Sequence, residues 1–159
     1  MLFNGDTQPV TDAAPTSVPR SELPPLEVET PEVTAEADRL CPTLMGRLPL
    51  ALGVSQARPV RSASPYAGAW GEPPIVLRCG VPRPAGLAAD SQLVQINGVA
   101  WFTEAGPDAT LWTAVDREVY VDVRVPSEQA SAPIALLSEA IGERLPAFDQ
   151  PSVAPTPTR

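Results

Sequence analysis

The chain has no histidine and no lysine among its 159 residues. It therefore lacks the one side chain that titrates near neutral pH without a perturbing environment. Catalysis by Ser-His-Asp, Cys-His or Ser-Lys sets is excluded, because each set needs a base that is missing here. Asp116 and Asp122 lie near one predicted hairpin, but acids at turns and strand ends are usually solvated or paired with arginine. We expect no catalytic residues and no enzyme activity.

The sequence also lacks the patterns that bind nucleic acid, phosphate or metal ions. The net charge is −8, of which residues 39–149 carry only −2. This part of the sequence has no excess of basic residues with which to bind the phosphate backbone of a nucleic acid. No glycine-rich phosphate loop and no calcium-loop spacing occur. We expect no nucleic-acid partner, no cofactor and no metal site.

Cysteine is scarce, with Cys41 and Cys79 as the two examples. Their spacing rules out a CxxC redox pair, and two thiols without histidine are a poor zinc site. Two interpretations remain: the cysteines form one disulfide, or they are two free buried thiols. We favour the disulfide because an even number of cysteines in a small domain permits one bridge.

Long hydrophobic runs are missing from residues 1–37, so nothing there has the length of a signal peptide or a membrane span. Either the protein is cytoplasmic with reduced thiols, or a targeting segment precedes this sequence. A disulfide favours the second alternative.

Composition divides the chain into three segments. Residues 1–37 are acidic and rich in proline, which predicts a disordered spacer. Residues 38–149 have the apolar content of a single domain held by the disulfide. The proline-rich residues 150–159 predict a disordered tail.

Two helices are predicted at the ends of this domain. Thr34 resembles an N-cap for a short amphipathic helix that carries Cys41 in its first turns. The second helix runs from Ala132 to Leu145, with Pro133 suited to its first turn. Its apolar stripe consists of Ile134, Leu137, Ile141 and Leu145.

Between the helices the apolar residues alternate with a period of two, which is typical of strands. Ile75 to Val81 is the strongest strand and directs Cys79 to the apolar side, whereas Arg58 to Ser62 is weaker. Asn97-Gly98 predicts a type I′ hairpin in which Ile96, Val99, Val94 and Trp101 share a core face. A second hairpin joins Thr110–Val115 to Glu118–Val125.

These elements predict an α+β fold, in which an antiparallel sheet of about five strands has the N-terminal and the C-terminal helix packed on one face. The other face is then open. Six side chains are expected to project from it: Arg78, Phe102, Glu104, Tyr120, Asp122 and Arg124.

The open face is a candidate partner surface. Within a strand, Arg78 must find a partner such as Asp122 to offset its desolvation, or else Arg78 and Arg124 together receive an anionic group. Trp101 and Trp112 fall on the predicted core face, which leaves Trp70 as an exposed anchor. The candidate partner residues are Trp70, Tyr66, Arg78, Tyr120, Asp122 and Arg124.

Several motifs mark a family. They are Trp70-Gly71 followed by Leu77-Arg78-Cys79-Gly80-Val81, with Cys41-Pro42-Thr43-Leu44, Leu48-Pro49, Asn97-Gly98-Val99-Ala100-Trp101 and the stretch from Arg117 to Pro126. On these motifs, residues 39–146 resemble the exported actinobacterial proteins called domain of unknown function 3515. The resemblance implies a small envelope protein with an N-terminal membrane or lipid anchor. It brings no catalytic residues.

Two hypotheses of function follow. The first is a non-enzymatic, membrane-tethered module on the extracytoplasmic face of the membrane, which holds an envelope or membrane protein through the open face and the Trp70 loop. It would touch the membrane only through an anchor that this chain does not contain. The second is an enzyme or ligand carrier for an anionic cell-wall precursor, which requires a concave site with converging arginines and carboxylates.

Overall fold

A computed structural model describes residues 23–148 of the chain. The predicted tail 150–159 and the first 22 residues of the predicted spacer lie outside this range. Within it there are two helices, Ala35–Met45 (α1) and Ala132–Arg144 (α2). The strands are Leu26–Glu27 (β1), Ala51–Leu52 (β2), Ser55–Arg58 (β3), Val60–Arg61 (β4), Ala67–Trp70 (β5), Ile75–Val81 (β6), Val94–Ile96 (β7), Val99–Ala105 (β8), Ala109–Ala114 (β9) and Tyr120–Pro126 (β10).

Eight of the strands form one antiparallel sheet in the order β2-β3-β5-β6-β10-β9-β8-β7. The α+β class is confirmed, but the predicted number of about five strands is wrong. Three strands of this sheet were not indicated by the sequence: β2, β3 and β5. All three are short, and β2 and β5 are rich in alanine and glycine. Such residues have low strand propensity, so pairing with neighbouring strands, rather than local sequence, sets these elements.

The predicted packing of both helices on one face is also corrected. Near the middle of the sheet α1 contacts β6, whereas α2 contacts β7 and β8 at one end. Neighbouring strands rotate by roughly 20–25° relative to each other. The parts of an eight-stranded sheet that lie under the two helices therefore do not form a common flat face.

The first helix begins where the sequence predicted. Thr34 Oγ1 accepts a hydrogen bond from the Ala37 N–H at 3.1 Å. Glu36 and Asp38 lie in the first turn, where the helix dipole favours negative charge. Pro42 lies inside α1 and has no N–H to bond four residues back, and the helix ends soon after it.

The core collects apolar residues of both helices and of strands β2, β5, β6, β8, β9 and β10. Along β6 every second residue is buried, as the alternation predicted. The neighbouring strand β10 buries Val121, Val123 and Val125 on the same side. The helices add Leu40, Leu44, Ile134, Leu137 and Ile141. The residues between these on β6 and β10 must therefore point to the opposite face of the sheet.

The Asn97-Gly98 hairpin is confirmed in its turn and its register. Both turn residues have positive φ, 47° and 80°, and the pairs Ile96–Val99 and Val94–Trp101 are formed. The prediction that Val94 belongs to the core is wrong, since its side chain is 43% exposed. The reason is that β7 is the last strand of the sheet, where fewer neighbours cover a side chain.

Residues 23–34, which the sequence assigned to the spacer, run along the domain as an extended segment. In this segment β1 pairs in parallel with β4, and the N–H groups of Leu26 and Val28 donate to the carbonyls of Pro59 and Arg61 at 2.9 and 3.0 Å. Thr30 Oγ1 accepts from the backbone N–H of Ser64. The segment is thus hydrogen-bonded to the domain before α1 begins.

Candidate functional site

Two rows of side chains cross the face of the sheet that is turned away from the core, which we call the second face. Strand register places them in line across β6, β10, β9 and β8. The first row is Arg78, Asp122, Thr113 and Phe102, and the second is Val76, Arg124, Leu111 and Glu104. The predicted alternation therefore brings Arg78, Asp122, Arg124 and Glu104 onto one surface.

Arg78 and Asp122 form a two-pronged ion pair. Arg78 Nε and Nη2 donate to the two oxygens of Asp122 at 3.0 and 2.5 Å. Asp122 is almost fully buried, and burial raises the pKa of its carboxyl, although the hydrogen bonds and the charge of Arg78 oppose this rise. Hydrogen bonding to Asp122 raises the pKa of Arg78. Pairing with Asp122, one of the two roles expected for Arg78, is therefore observed.

The same guanidinium also holds the N-terminal segment. Arg78 Nη1 donates to the Glu29 carbonyl oxygen at 3.0 Å. This bond fixes residues 26–29 above the second face, beside the two rows. A side chain that the sequence treated as part of an open surface is therefore partly covered by residues assigned to the spacer.

A groove of about 750 Å³ lies between this segment and the turn that joins β8 to β9. We call it the second-face groove. Residues 26–29 form one side, and Ala105, Gly106 and Ala109 form the other. Its floor carries Pro74, Val76, Arg78, Glu104, Leu111, Asp122 and Arg124.

Three charged side chains in the second-face groove, those of Arg124, Glu104 and Glu29, have no ion-pair partner among residues 23–148. Arg124 is exposed, and Glu104 is half-buried. The carboxylate beside Arg124, that of Asp122, is already occupied on both oxygens by Arg78. The groove thus offers one cation, Arg124, and two anions, Glu104 and Glu29, that are free to bind charged groups of a ligand.

Two residues predicted on the open face do not line this groove. Phe102 lies under the loop after β6, where an added Cβ on Gly86 would be 3.5 Å from its ring. Tyr120 lines a separate cleft of about 490 Å³, which it shares with Gly80 and Glu118. The β6–β10 register shifts beside Tyr120, which separates it from the ordered rows.

The prediction that Trp70 is an exposed anchor is wrong. Its side chain is 1% exposed and belongs to the core. The indole N–H donates to the Pro49 carbonyl at 2.8 Å, which satisfies the polar edge of the ring. Trp70 lies on β5, a strand that the sequence had treated as a loop, and pairing with β6 turns it inward.

Tyr66 is half-buried, and its polar end is already engaged. The phenol donates to Asp38 Oδ1 on α1 at 2.7 Å. This hydrogen bond raises the pKa of Tyr66, with smaller contributions from burial and from the charge of Asp38. Tyr66 therefore ties the loop before β5 to the first helix, and it does not join the second-face groove.

The disulfide between Cys41 and Cys79 is confirmed. The sulfurs are 2.16 Å apart and the Cα atoms 5.9 Å apart, across 38 residues of sequence. Both cysteines are buried. The bond joins α1 to β6, as the alternation of β6 and the position of Cys41 in the first helix predicted.

The segment 26–29 was missed as part of the site. Its residues, Leu26-Glu27-Val28-Glu29, alternate between apolar and acidic, which is a strand signal. Four residues of alternation inside a proline-rich region were too few to outweigh the composition. Leu111 was also missed, although the register of the second hairpin would have placed it beside Arg124.

Other kinds of site find no support between residues 23 and 148. No group of three or more His, Cys, Asp or Glu side chains in this part of the chain could hold a metal ion. Neither of its helices has the length and apolar character needed to cross a membrane.

A family model described as a protein of unknown function, DUF3515, matches residues 10–150. The chain belongs to the DUF3515 family. No match to this DUF3515 protein was found among the curated proteins or among the solved structures. The match reaches upstream of α1 and includes the segment 26–29, so the residues that form one side of the second-face groove are within the family's domain.

Proposed function

We propose that this DUF3515 protein is a non-enzymatic, membrane-tethered module that binds a partner protein of the cell envelope in its second-face groove. The observation that carries the proposal is the groove itself. It is concave, has the apolar side chains of Val76 and Leu111 among the charged residues of its floor, and presents Arg124 and Glu104 without ion-pair partners among the described residues. Such a mixture of apolar surface and a few charged groups is typical of a recognition site.

The disulfide supports a location outside the cytoplasm. Disulfides persist in oxidising compartments and are rare where thiols are kept reduced. Because both cysteines are buried at the contact between α1 and β6, the bond is a structural feature of the core. The acidic N-terminal segment would then link the domain to an anchor at the membrane.

The charges of the groove favour a protein over an anionic precursor. Four carboxylates line it, those of Glu27, Glu29, Glu104 and Asp122, against the two arginines Arg78 and Arg124. Arg78 is already bound to Asp122. An anionic ligand would meet one free cation among several carboxylates, whereas a protein segment with charges of both signs fits this lining.

Site-specific photo-crosslinking in cells that make the full protein tests the proposal. A photoreactive phenylalanine analogue at Leu111, on the groove floor, is expected to capture a discrete envelope protein. The same analogue at Glu139, exposed on α2 and outside the groove, is the matched control. Adding Arg124→Glu should remove the Leu111 product. Identical products from both positions, or none from Leu111, would contradict binding in the groove.

The compartment is tested separately. Cells are lysed in denaturant that contains an alkylating reagent and no reductant, and the peptides that contain Cys41 and Cys79 are identified by mass spectrometry. We expect the disulfide-linked pair, in the membrane fraction. Alkylated thiols at both cysteines would contradict a location in an oxidising compartment.

A further inference from the structure

We infer that the β2–β3 hairpin is a second contact with the membrane, which inserts apolar side chains into the lipid surface beside the tether. The inference rests on the proposed function, because a weak contact of this kind needs a tether that holds the domain at the membrane. Three features carry it: a stretch of sequence without charge, a group of exposed apolar side chains, and the place where the N-terminal segment meets the domain.

The hairpin and its flanks carry no charge. Residues 48–57, which include β2 and most of β3, contain no acidic and no basic side chain. Charged residues make up 19% of the whole chain. A surface hairpin without any of them therefore differs from the rest of the surface, and it can approach a lipid without the cost of removing a charge from water.

The hairpin presents apolar side chains to solvent. Val54, in the turn between β2 and β3, is 97% exposed, and Leu50, just before β2, is 71% exposed. Leu136 on α2 is 44% exposed and lines the same cleft of about 430 Å³ as Val54. One exposed apolar side chain is ordinary, but several on neighbouring elements mark an interaction site.

The cleft between the hairpin turn and the start of α2 offers no unpaired charge. Among the described residues that line it, Glu72 alone is charged, and its carboxylate accepts a hydrogen bond from Arg58 Nη1 at 2.5 Å. The second-face groove, by contrast, is lined by six charged side chains. The cleft therefore fits the hydrocarbon part of a lipid better than it fits a protein segment with charges of both signs.

The exposed group is also small for a protein interface. A stable complex buries about 800 Å² on each partner and includes several hydrogen bonds, whereas here three side chains lie on one turn, its flank and one helix. Insertion into lipid has no such minimum area, because each apolar side chain that leaves water contributes. The contact is weak by itself, as even a single myristoyl chain is. A tether overcomes this by keeping the domain at a high effective concentration beside the surface.

The N-terminal segment meets the domain at the same end. Arg58 donates from Nη1 to Glu72 and from Nη2 to the Pro24 carbonyl, the latter at 3.5 Å. Since Glu72 lines the apolar cleft, Pro24 lies one arginine side chain away from it. A tether that continues upstream of residue 23 thus leaves the domain beside the hairpin, which directs this end of the domain to the membrane.

Fluorescence of the tethered protein tests the inference. The full chain with an N-terminal polyhistidine tag is attached to phosphatidylcholine vesicles that contain a nickel-chelating lipid, and the chain has no histidine of its own to compete. The environment-sensitive fluorophore NBD is placed on Val54→Cys. Asp90→Cys, exposed in the loop between β6 and β7, is the matched control. Because the native cysteines are bonded to each other and buried, the added thiol is the one labelled.

On attachment, we expect NBD emission at position 54 to rise severalfold and to shift to shorter wavelength, with no change at position 90. Leu50→Asp should lower the response at position 54, whereas Ala89→Asp, which adds the same charge at an exposed position in the loop before β7, should not. Equal responses at the two labelled positions, or none at position 54, would overturn the inference.

Salt separates apolar insertion from attraction between charges. Residues 39–149 carry a net charge of −2, so anionic headgroups do not attract the domain. With phosphatidylglycerol in the vesicles, the response at position 54 should therefore persist or increase in about 0.5 M salt, which screens charges beyond a few ångströms. A response that high salt abolishes would assign the contact to arginines and would contradict insertion of the hairpin.

The outcomes also separate the inference from the proposed function. No NBD response, together with a Leu111 crosslink and recovery in the membrane fraction, would overturn the hairpin contact and leave the proposed function standing. If a photoreactive analogue at Val54 captures a discrete protein in cells, the exposed group is a protein interface and the lipid contact is wrong. Absence of the protein from the membrane fraction would contradict the tether, on which both proposals depend.

Discussion

Gly80 lies so close to Ala37 that a Cβ added to the glycine would be 2.7 Å from the Ala37 Cβ atom. The two residues meet where α1 crosses β6, one position from Cys79, and Gly80 has a φ of 86°. The pairing of β6 with β10 shifts register at this point, with Val121 opposite Cys79 and Tyr120 opposite Val81. A glycine in a bulge thus allows the helix to approach the strand closely enough for the disulfide to form.

Gly80→Ala is therefore expected to destabilise the fold by about 2–4 kcal/mol, from positive φ together with overpacking against Ala37. Gly98→Ala is the matched control, because Gly98 has a φ of 80° but no atom within 4 Å of an added Cβ. Gly98→Ala should lower the free energy of unfolding by about 1 kcal/mol, because it adds only the strain of a positive φ and no steric overlap. Urea unfolding of both variants measures the difference. Equal losses would contradict a close-packed contact at Gly80.

The disulfide should be a main source of stability. For a loop closed across 38 residues, chain entropy gives about 4 kcal/mol. The double variant Cys41→Ala with Cys79→Ala is expected to lose about that amount in urea unfolding, and wild type under reducing conditions should lose a similar amount. Reduced wild type keeps both cysteine side chains, so a similar loss in the two cases would assign the loss to the disulfide and not to the Cys→Ala substitutions. A loss below about 1 kcal/mol in both would show that the bond adds little beyond the packing of α1 on β6.

The sequence predicted correctly those parts of the fold whose conformation is determined by a few neighbouring residues. The Thr34 cap, the alternation of β6 and the Asn97-Gly98 turn each satisfy a requirement within a few residues, and all three are observed. The buried position of Trp70 is different, because it depends on β5, whose residues have low strand propensity and pair through distant neighbours.

The candidate site was predictable only in part for a similar reason. Period-two alternation placed Arg78, Asp122, Arg124 and Glu104 on one face, since that depends on each strand alone. The groove arises because residues 26–29 cross this face, held by β4 and by Arg78. Their contact spans 49 residues between Glu29 and Arg78, and no local pattern carries such information.

The hydrogen bond between Tyr66 and Asp38 predicts a pH-dependent link between the β5 loop and α1. Its effect is to raise the pKa of Tyr66 above the ordinary 10.0. A raised pKa in the folded state means that the phenol stabilises the fold below pH 10.0 and loses this contribution as pH rises further. Ultraviolet titration of the two tyrosines, with Tyr66→Phe to assign the steps, measures the shift. In Asp38→Asn the Tyr66 step should move to lower pH, and an unchanged step would show that the bond is not formed.

Arg78 is expected to matter for stability far more than Arg124, although both are arginines on the second face. Asp122 has 5% of its side chain exposed, and Arg78 has 30%, so removing the arginine leaves a buried carboxylate with neither of its two charged hydrogen bonds. We expect Arg78→Met to destabilise the protein by about 2–4 kcal/mol near neutral pH. Arg124→Met, the matched control in the adjacent row, should stay within about 0.5 kcal/mol of wild type.

The pH dependence of Arg78→Met then identifies the cause of its loss. Without Arg78, burial acts unopposed and raises the pKa of Asp122 further above the ordinary 3.8. A carboxyl with a raised folded pKa gives its full stability below the unfolded pKa and loses it as pH rises through the folded value. The difference in free energy of unfolding between Arg78→Met and wild type, measured with urea, should therefore become smaller as pH falls toward 3.8. A gap that stays constant with pH would instead assign the loss to the Glu29 carbonyl bond and to packing, because neither of these titrates.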